Sequence, residues 1–484
     1  MKQLKKPLKS GSAAKGSGGK ELGLFSLTSL VVGSVIGSGV FNMMSNMAAS
    51  AGLMGIILGW VVTAIGMTFL VLTFRNLNKK KPKLDAGIYS YAEAGFGRFM
   101  GFSSAWGYWI SAWIGNVAYA TLAFSSLSYF FKFFGDGQNV ASVIGASVLL
   151  WAGHFLILRG VKSASFMNAI VTIAKLAPIA IFILAIFFAF KLNIFTKDIW
   201  GSSDLGSLFN QVKGTMLVTV WSFIGIEGAV IFSGRAKHRS DVAKASFLGL
   251  YTVIAVYVLV TVLSLGIKTR PELAALSAPG MSGVLEAVVG TWGAVLVNIG
   301  VIVSVIGAWL AWTMFSFELP FRAAEKGTFP SIFAKTNKNG TPVVALTITN
   351  ALVQVFLFTF LVSASAYNLG YSLATSTILI PYVLTALYQL KISLQEKAGT
   401  PGRSFNVAIG AVATLYGAWL IYAAGLKYLL LTAIIYGIGV VVYVLMRVLS
   451  GKKPLKMAEL AVAAVFVIGA IYAIQQLISG GIKL

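Results

Sequence analysis

Runs of about twenty apolar residues recur along the whole chain, and no other feature limits the fold so strongly. Such a run is what a helix needs to cross about 30 Å of hydrocarbon at 1.5 Å per residue. Thirteen can be read, at roughly 22–45, 51–73, 99–131, 139–158, 164–190, 214–234, 245–267, 284–319, 342–363, 366–390, 404–425, 428–446 and 457–479. Composition agrees: 57% of the 484 residues are hydrophobic and 11% are charged, too little charge to cover a water-soluble protein of this size. The expectation is an all-α polytopic membrane protein with 12 or 13 transmembrane helices. The first apolar run is too long for a signal-peptide core and has no small-residue cleavage site, so no cleaved leader is expected. A flexible basic tail at about 1–20 precedes a single membrane domain over 21–484.

The net charge of +24 would suit a nucleic-acid partner if it were clustered on one soluble surface. It is instead sorted between the loops. With the N-terminus placed in the cytoplasm, 29 of the 38 Lys and Arg fall in the tail and the loops on that side. Eight fall on the opposite side, and Lys175 alone lies inside a span. That bias is a positive-inside signal for an inside N-terminus. It makes membrane lipids, not nucleic acid, the partner of the basic charge. Cysteine is absent, and the two histidines, His154 and His238, are far apart. No disulfide, thiol nucleophile, metal site or cofactor is expected. His154 reads as a hydrogen-bonded buried histidine.

Two spans carry residues that do not suit a helix. The first contains "GSVIGSGVF", with three glycines and two serines between Gly33 and Phe41. The sixth contains "WSFIGIEGAVIFSG", from Trp221 to Gly234. Either stretch alone reads most simply as small-residue helix packing. Together, five spans apart and with Glu227 buried in one of them, they read as paired broken helices, the sequence pointer to a transporter site. A break at Gly37–Ser38–Gly39 frees backbone N–H groups at the positive end of a half-helix, which suits a carboxylate. A matching break near Ile224–Gly225–Ile226 frees carbonyls, which suit an ammonium. An α-amino acid has one of each, and glycine lets it approach the backbone.

These stretches resemble the amino acid–polyamine–organocation superfamily of permeases, and most closely its basic amino acid antiporters of the arginine/ornithine group. "IGSGVF" is similar to the first-helix signature and "AGIYSYAEAGFGRFMGF" to the loop before the third helix. "YWISAWIGNVAYA" is similar to the third-helix site segment and "WSFIGIEGA" to the sixth-helix signature. "SGRAKHRSDVAKA" and "ELPFRAAEKGTFPSIFAKTNKNGTP" resemble the loops after the sixth and eighth helices. The resemblance covers nearly the whole chain. It implies a LeuT-type 5+5 inverted repeat, at about 22–190 and 213–391, with broken first and sixth helices and extra helices at about 403–480. It also implies a multi-pass protein of the bacterial cytoplasmic membrane. Ser38 and Gly39 would meet the substrate carboxylate, and Trp221 would gate the site. Asn116 would contact substrate, with Tyr108 as an outer gate. Trp312 would stack on the substrate side chain, and Ser372 and Thr375 would line the site.

The buried charges admit two readings each. An unpaired carboxylate at Glu227 is expensive, so it is a coupling acid or a hydrogen-bond partner of the broken backbone. Lys175 is a coupling residue, as in some proton-linked relatives, or a lysine snorkelling to the interface. Glu318 reads as a gate or loop ion-pair partner. Trp109, Trp113, Trp200 and Trp419 can be interface belt residues, whereas Trp221 and Trp312 lie at the breaks or on a site helix. An indole face attracts a guanidinium without a buried carboxylate. The reading is a secondary transporter exchanging small cationic amino acids, arginine for ornithine. A proton-coupled lysine permease or an amino acid/amine exchanger of the same fold stays open, as does a homodimer. No G-x-x-x-x-G-K-[ST] motif and no nucleophile–base set point to ATP use or to an enzyme. A channel should show rings of pore-lining polar residues.

Overall fold

The structure is a computed structural model, and it describes residues 23–82, 84, 87–159, 162–227, 237–363 and 365–482. The tail at about 1–20 lies outside them. So does 228–236, the second half of the expected sixth span and the start of the loop after it. The apolar runs fold as helices, and there is no strand among the described residues. Nine of these helices are long and apolar enough to cross a membrane. Helices satisfy every backbone polar group within one segment, which hydrocarbon demands.

The first span is broken as the glycines predict. A helix runs Leu24–Val35, and the backbone leaves it at Ile36 with ψ 91°. A tight 3-10 turn follows at Gly39–Phe41, and a second helix runs Met43–Ser50. The second span, Leu53–Lys80, ends in Lys79 and Lys80, which complement the negative end of its dipole. The third span, Arg98–Phe130, is the central pillar: 94% of its most apolar window is buried, against 22% for the thirteenth, Met457–Ile478. The tenth, Ala366–Leu394, is next most enclosed at 78%. The thirteenth lies at the periphery, where Phe466 stacks on Tyr436 with ring centroids 4.9 Å apart.

The eleventh and twelfth spans join in one 47-residue helical segment, Arg403–Leu449. Straight, it would be about 70 Å long, more than twice the hydrocarbon thickness. It is not straight, because Gly425 has φ 77° and ψ 159°, a region open to glycine. Near its start Asn406 accepts from Asn76 at the end of the second span, 2.9 Å. Near its end Tyr443 packs edge-on against Phe99 at the start of the third span, centroids 5.2 Å apart. Midway, Trp419 and Tyr422 reach Phe209 at the start of the sixth. Both ends therefore meet the face where the second span ends and the third begins. The chain crosses, turns at Gly425 and crosses back, so two spans stand with almost no loop between them.

Prolines lie both inside helices and at their starts. The fifth, eighth and tenth helices run on through Pro178, Pro320 and Pro381. Pro271, Pro279, Pro330 and Pro342 sit at helix starts. Gly300 of the eighth helix packs against the Pro178 ring, a close approach of two helices that a small residue allows. The stretch before the third span forms the short helix Ile88–Phe96.

Candidate functional site

The two breaks touch each other. A Cβ built on Gly39 would lie 3.2 Å from both Ser222 Oγ and Trp221 Cδ1. A Cβ built on Gly115 of the third span would lie 3.0 Å from the far edge of the same indole. Trp221 is thus clasped between two glycines, and its slot exists because neither has a side chain. Tyr119 and Tyr371 complete the aromatic wall, with centroids 5.8 and 6.4 Å from Trp221. Tyr119 also closes over the first break, because its hydroxyl lies 3.1 Å from the Cβ position of Gly37.

The sixth span unwinds at this wall. Its helix runs Leu208–Trp221. Beyond it the N–H groups of Phe223, Ile224 and Ile226 donate three residues back, to Val220, Trp221 and Phe223. Gly225 has φ +104°, which glycine adopts most readily. Ile224 is buried within these tight turns. The Gly225 N–H donates to Glu227 Oε2, 3.2 Å, so the acid closes the loop of its own break.

Polar groups gather around the wall. Ser38 and Asn116 are fully buried, next to the glycines that clasp Trp221. Ser38 Oγ and Asn116 Oδ1 have no hydrogen-bond partner among the described residues. Asn116 Nδ2 donates to Thr313 Oγ1, 3.2 Å, which brings the eighth helix to the third. Trp312, next to Thr313, is buried against Phe315. On the tenth helix Ser372 adjoins Tyr371, while the Thr375 hydroxyl is spent on the Tyr371 carbonyl, 2.7 Å.

Both routes to this cluster are covered. Glu227 Oε1 accepts from the Tyr108 hydroxyl at 2.6 Å, and Oε2 accepts from Tyr382 at 3.0 Å. This knot ties the third, sixth and tenth spans. It lies nearer the basic loops than Asn116, Trp221 and Thr375, because Tyr108 precedes Asn116 on a helix that starts at that face. Tyr108, which the resemblance implies as an outer gate, stands in this knot on the side of the basic loops. On the opposite side the helix Gly280–Val289 docks on the first span, where the Gly280 N–H donates to Asn42 Oδ1, 2.8 Å.

A sequence model of the family described as amino acid permease matches residues 22–471. The chain belongs to the amino acid permease family. It is 49% identical over 476 residues to an arginine/ornithine antiporter of Pseudomonas aeruginosa, spanning 96% of this chain and 99% of that one. An arginine/ornithine antiporter of Latilactobacillus sakei is 42% identical over 471 residues, 96% and 98% of the two chains. An arginine/agmatine antiporter of Chlamydia abortus is 42% identical over 436 residues, 88% and 90%. Permeases move solutes across a membrane, so this chain is a multi-pass transporter and not an enzyme.

Two residues expected at a permease site stand apart from the cluster. Lys175 is buried and donates to the Gly33 carbonyl in the last turn before the first break. It does not snorkel to the interface. Glu318 is exposed and pairs with Arg322 one turn along its own helix, 2.7 Å. His154 is buried and paired with Asn350 Nδ2, 3.2 Å. Sequence reasoning missed Tyr119, Tyr371 and Tyr382. Tyr119 follows Asn116 by three positions, the same face of a helix. Tyr382 was within reach too, since a buried Glu227 without a cation needs hydroxyl donors.

Proposed function

We propose that this permease exchanges cationic amino acids, arginine for ornithine, by alternating access. It works in a bacterial cytoplasmic membrane with its N-terminus inside. The observation that supports the substrate pair best is the 49% identity to an arginine/ornithine antiporter over almost the full length of both chains. The paired breaks support the mode of binding. The substrate carboxylate meets N–H groups at Ser38 and Gly39, and its ammonium meets carbonyls of the tight turns between Trp221 and Ile224, each of which has a second lone pair. The two breaks belong to inverted repeats at about 22–190 and 213–391, and the first, second, sixth and seventh spans rock together.

The charged end of the substrate meets aromatic faces. Glu227 already accepts three hydrogen bonds from Tyr108, Tyr382 and Gly225, so it is committed to a gate on the basic side. Trp312 offers a cation–π face from the eighth helix, with Asn116, Ser372 and Thr375 lining the space beside it. A tight ion pair would hold a cationic substrate; an indole selects it and lets it go. Lys175 steadies the first break through Gly33 and takes no proton during exchange.

Counterflow tests the reading. Liposomes loaded with ornithine should accumulate labelled arginine, and liposomes loaded with a neutral amino acid should not. Equal uptake into both would remove arginine/ornithine exchange as the function.

A further inference from the structure

We propose that Tyr257, on the seventh span, is a positioning residue that holds the two broken helices in register through its single hydroxyl. The inference rests on the exchanger reading above for its transport readout. Tyr257 is fully buried. Its Oη lies 3.1 Å from the Val35 carbonyl and 3.2 Å from the Ser222 carbonyl. These are the carbonyls at which the two helices stop. Val35 ends the first half of the first span, and Ser222 caps the helix of the sixth.

In an unbroken helix Ser222 O would accept from the N–H of Ile226. That N–H donates to Phe223 O instead. The first span likewise leaves its helix at Ile36, before the turn that would have used Val35 O. Each break therefore leaves a carbonyl at the negative end of a half-helix. One buried hydroxyl serves both. It has a single proton, so the two carbonyls share it and must stay within reach of the same point. The span between them is thereby set, and it is the span across which an amino acid head group would have to fit.

The ring supports this placement. Tyr257 packs against Trp60 of the second span and Phe223 of the sixth, centroids 6.0 and 5.8 Å away. The Trp60 indole N–H donates to Thr261, one turn further along the seventh span, 2.9 Å. The first, second, sixth and seventh spans thus meet at one aromatic knot, and among the described residues only the Tyr257 hydroxyl bonds to both breaks.

Tyr257→Phe deletes that hydroxyl and keeps the ring, so packing with Trp60 and Phe223 should survive. Thr261→Val, which removes the Trp60 acceptor on the same helix, is the control. Two readouts apply to the full-length protein. In hydrogen–deuterium exchange, Tyr257→Phe should speed amide exchange about tenfold at 36–41 and 222–227, with the rest of the seventh span unchanged. In ornithine-loaded liposomes it should raise the KM for arginine about tenfold and leave the maximal rate within threefold. The control should do neither. Unchanged protection at either break, exchange accelerated evenly along the seventh span, or an unchanged KM would overturn the proposal. A wild-type protein that fails to exchange arginine would instead sink the substrate reading, and amide protection alone would then judge Tyr257.

Discussion

At the scale of single residues the site is made by what is missing. Gly39 and Gly115 leave the slot that Trp221 fills. Gly39→Val should therefore insert normally and bind no arginine. Its Cβ alone would be 3.2 Å from the indole and from Ser222 Oγ, and the γ-methyls would enter the slot. Calorimetry on folded protein checks this, and wild-type affinity would remove the broken-helix reading. Trp312→Leu should weaken arginine by about 1–2 kcal/mol, roughly 5–30-fold, and a neutral amino acid much less. Equal losses would make the indole mere packing. The glycine pattern was legible in the sequence because it recurs in two spans five apart, one of them with a buried acid. The tyrosines were not. Tyr119, Tyr371 and Tyr382 sit on helices that carry many polar residues, and packing reveals which of them face the breaks. A motif names Tyr108 without giving its depth.

Elements act here by being tied at their ends. Glu227 joins three spans through Tyr108 and Tyr382. Glu227→Gln puts an amide N–H₂ where one hydroxyl donates, so one contact of the knot must rearrange. The expected result is near-normal arginine binding with a slower exchange rate, measured by calorimetry and by counterflow. A loss of binding with the rate per bound substrate unchanged would place Glu227 in the site instead. Outside the membrane, Lys80 at the end of the second span pairs with Glu396 after the tenth. The hydrogen bond from Lys80 is the main reason the Glu396 carboxyl sits below its usual range. A depressed carboxylate contributes stability above its unfolded pKa, near 4.3, and loses it as pH falls through the folded value. The melting difference between wild type and Glu396→Gln should therefore shrink from pH 7 towards pH 3. A difference independent of pH would show that the pair adds nothing. Spans were readable as elements because their length is set by the bilayer. The junction at Gly425 was readable too, between runs at 404–425 and 428–446; that it turns on a single residue of φ 77° was not.

The whole molecule raises the question of coupling. Two charges lie deep in the spans, and both have protein partners. Lys175 donates to the Gly33 carbonyl, and Glu227 accepts from two tyrosines and Gly225. Neither is left to balance a substrate cation, so in the exchanger reading one cationic substrate replaces another. Among the described residues, the unpartnered buried atoms include two neutral ones near the breaks: Ser38 Oγ in the first break and Asn116 Oδ1 beside Trp221. A buried polar atom left unpaired costs about 1–3 kcal/mol. If substrate satisfies them, a loaded transporter can close around its site at lower cost than an unloaded one. Exchange then outruns net uptake without any titrating residue. Liposomes loaded with ornithine, or with nothing, should differ at least tenfold in their initial rate of labelled arginine entry. An inward proton gradient should not rescue the empty ones. Gradient-driven entry into empty liposomes that disappears in Lys175→Ala would reverse the argument, because the buried lysine would then have to release its proton during each cycle.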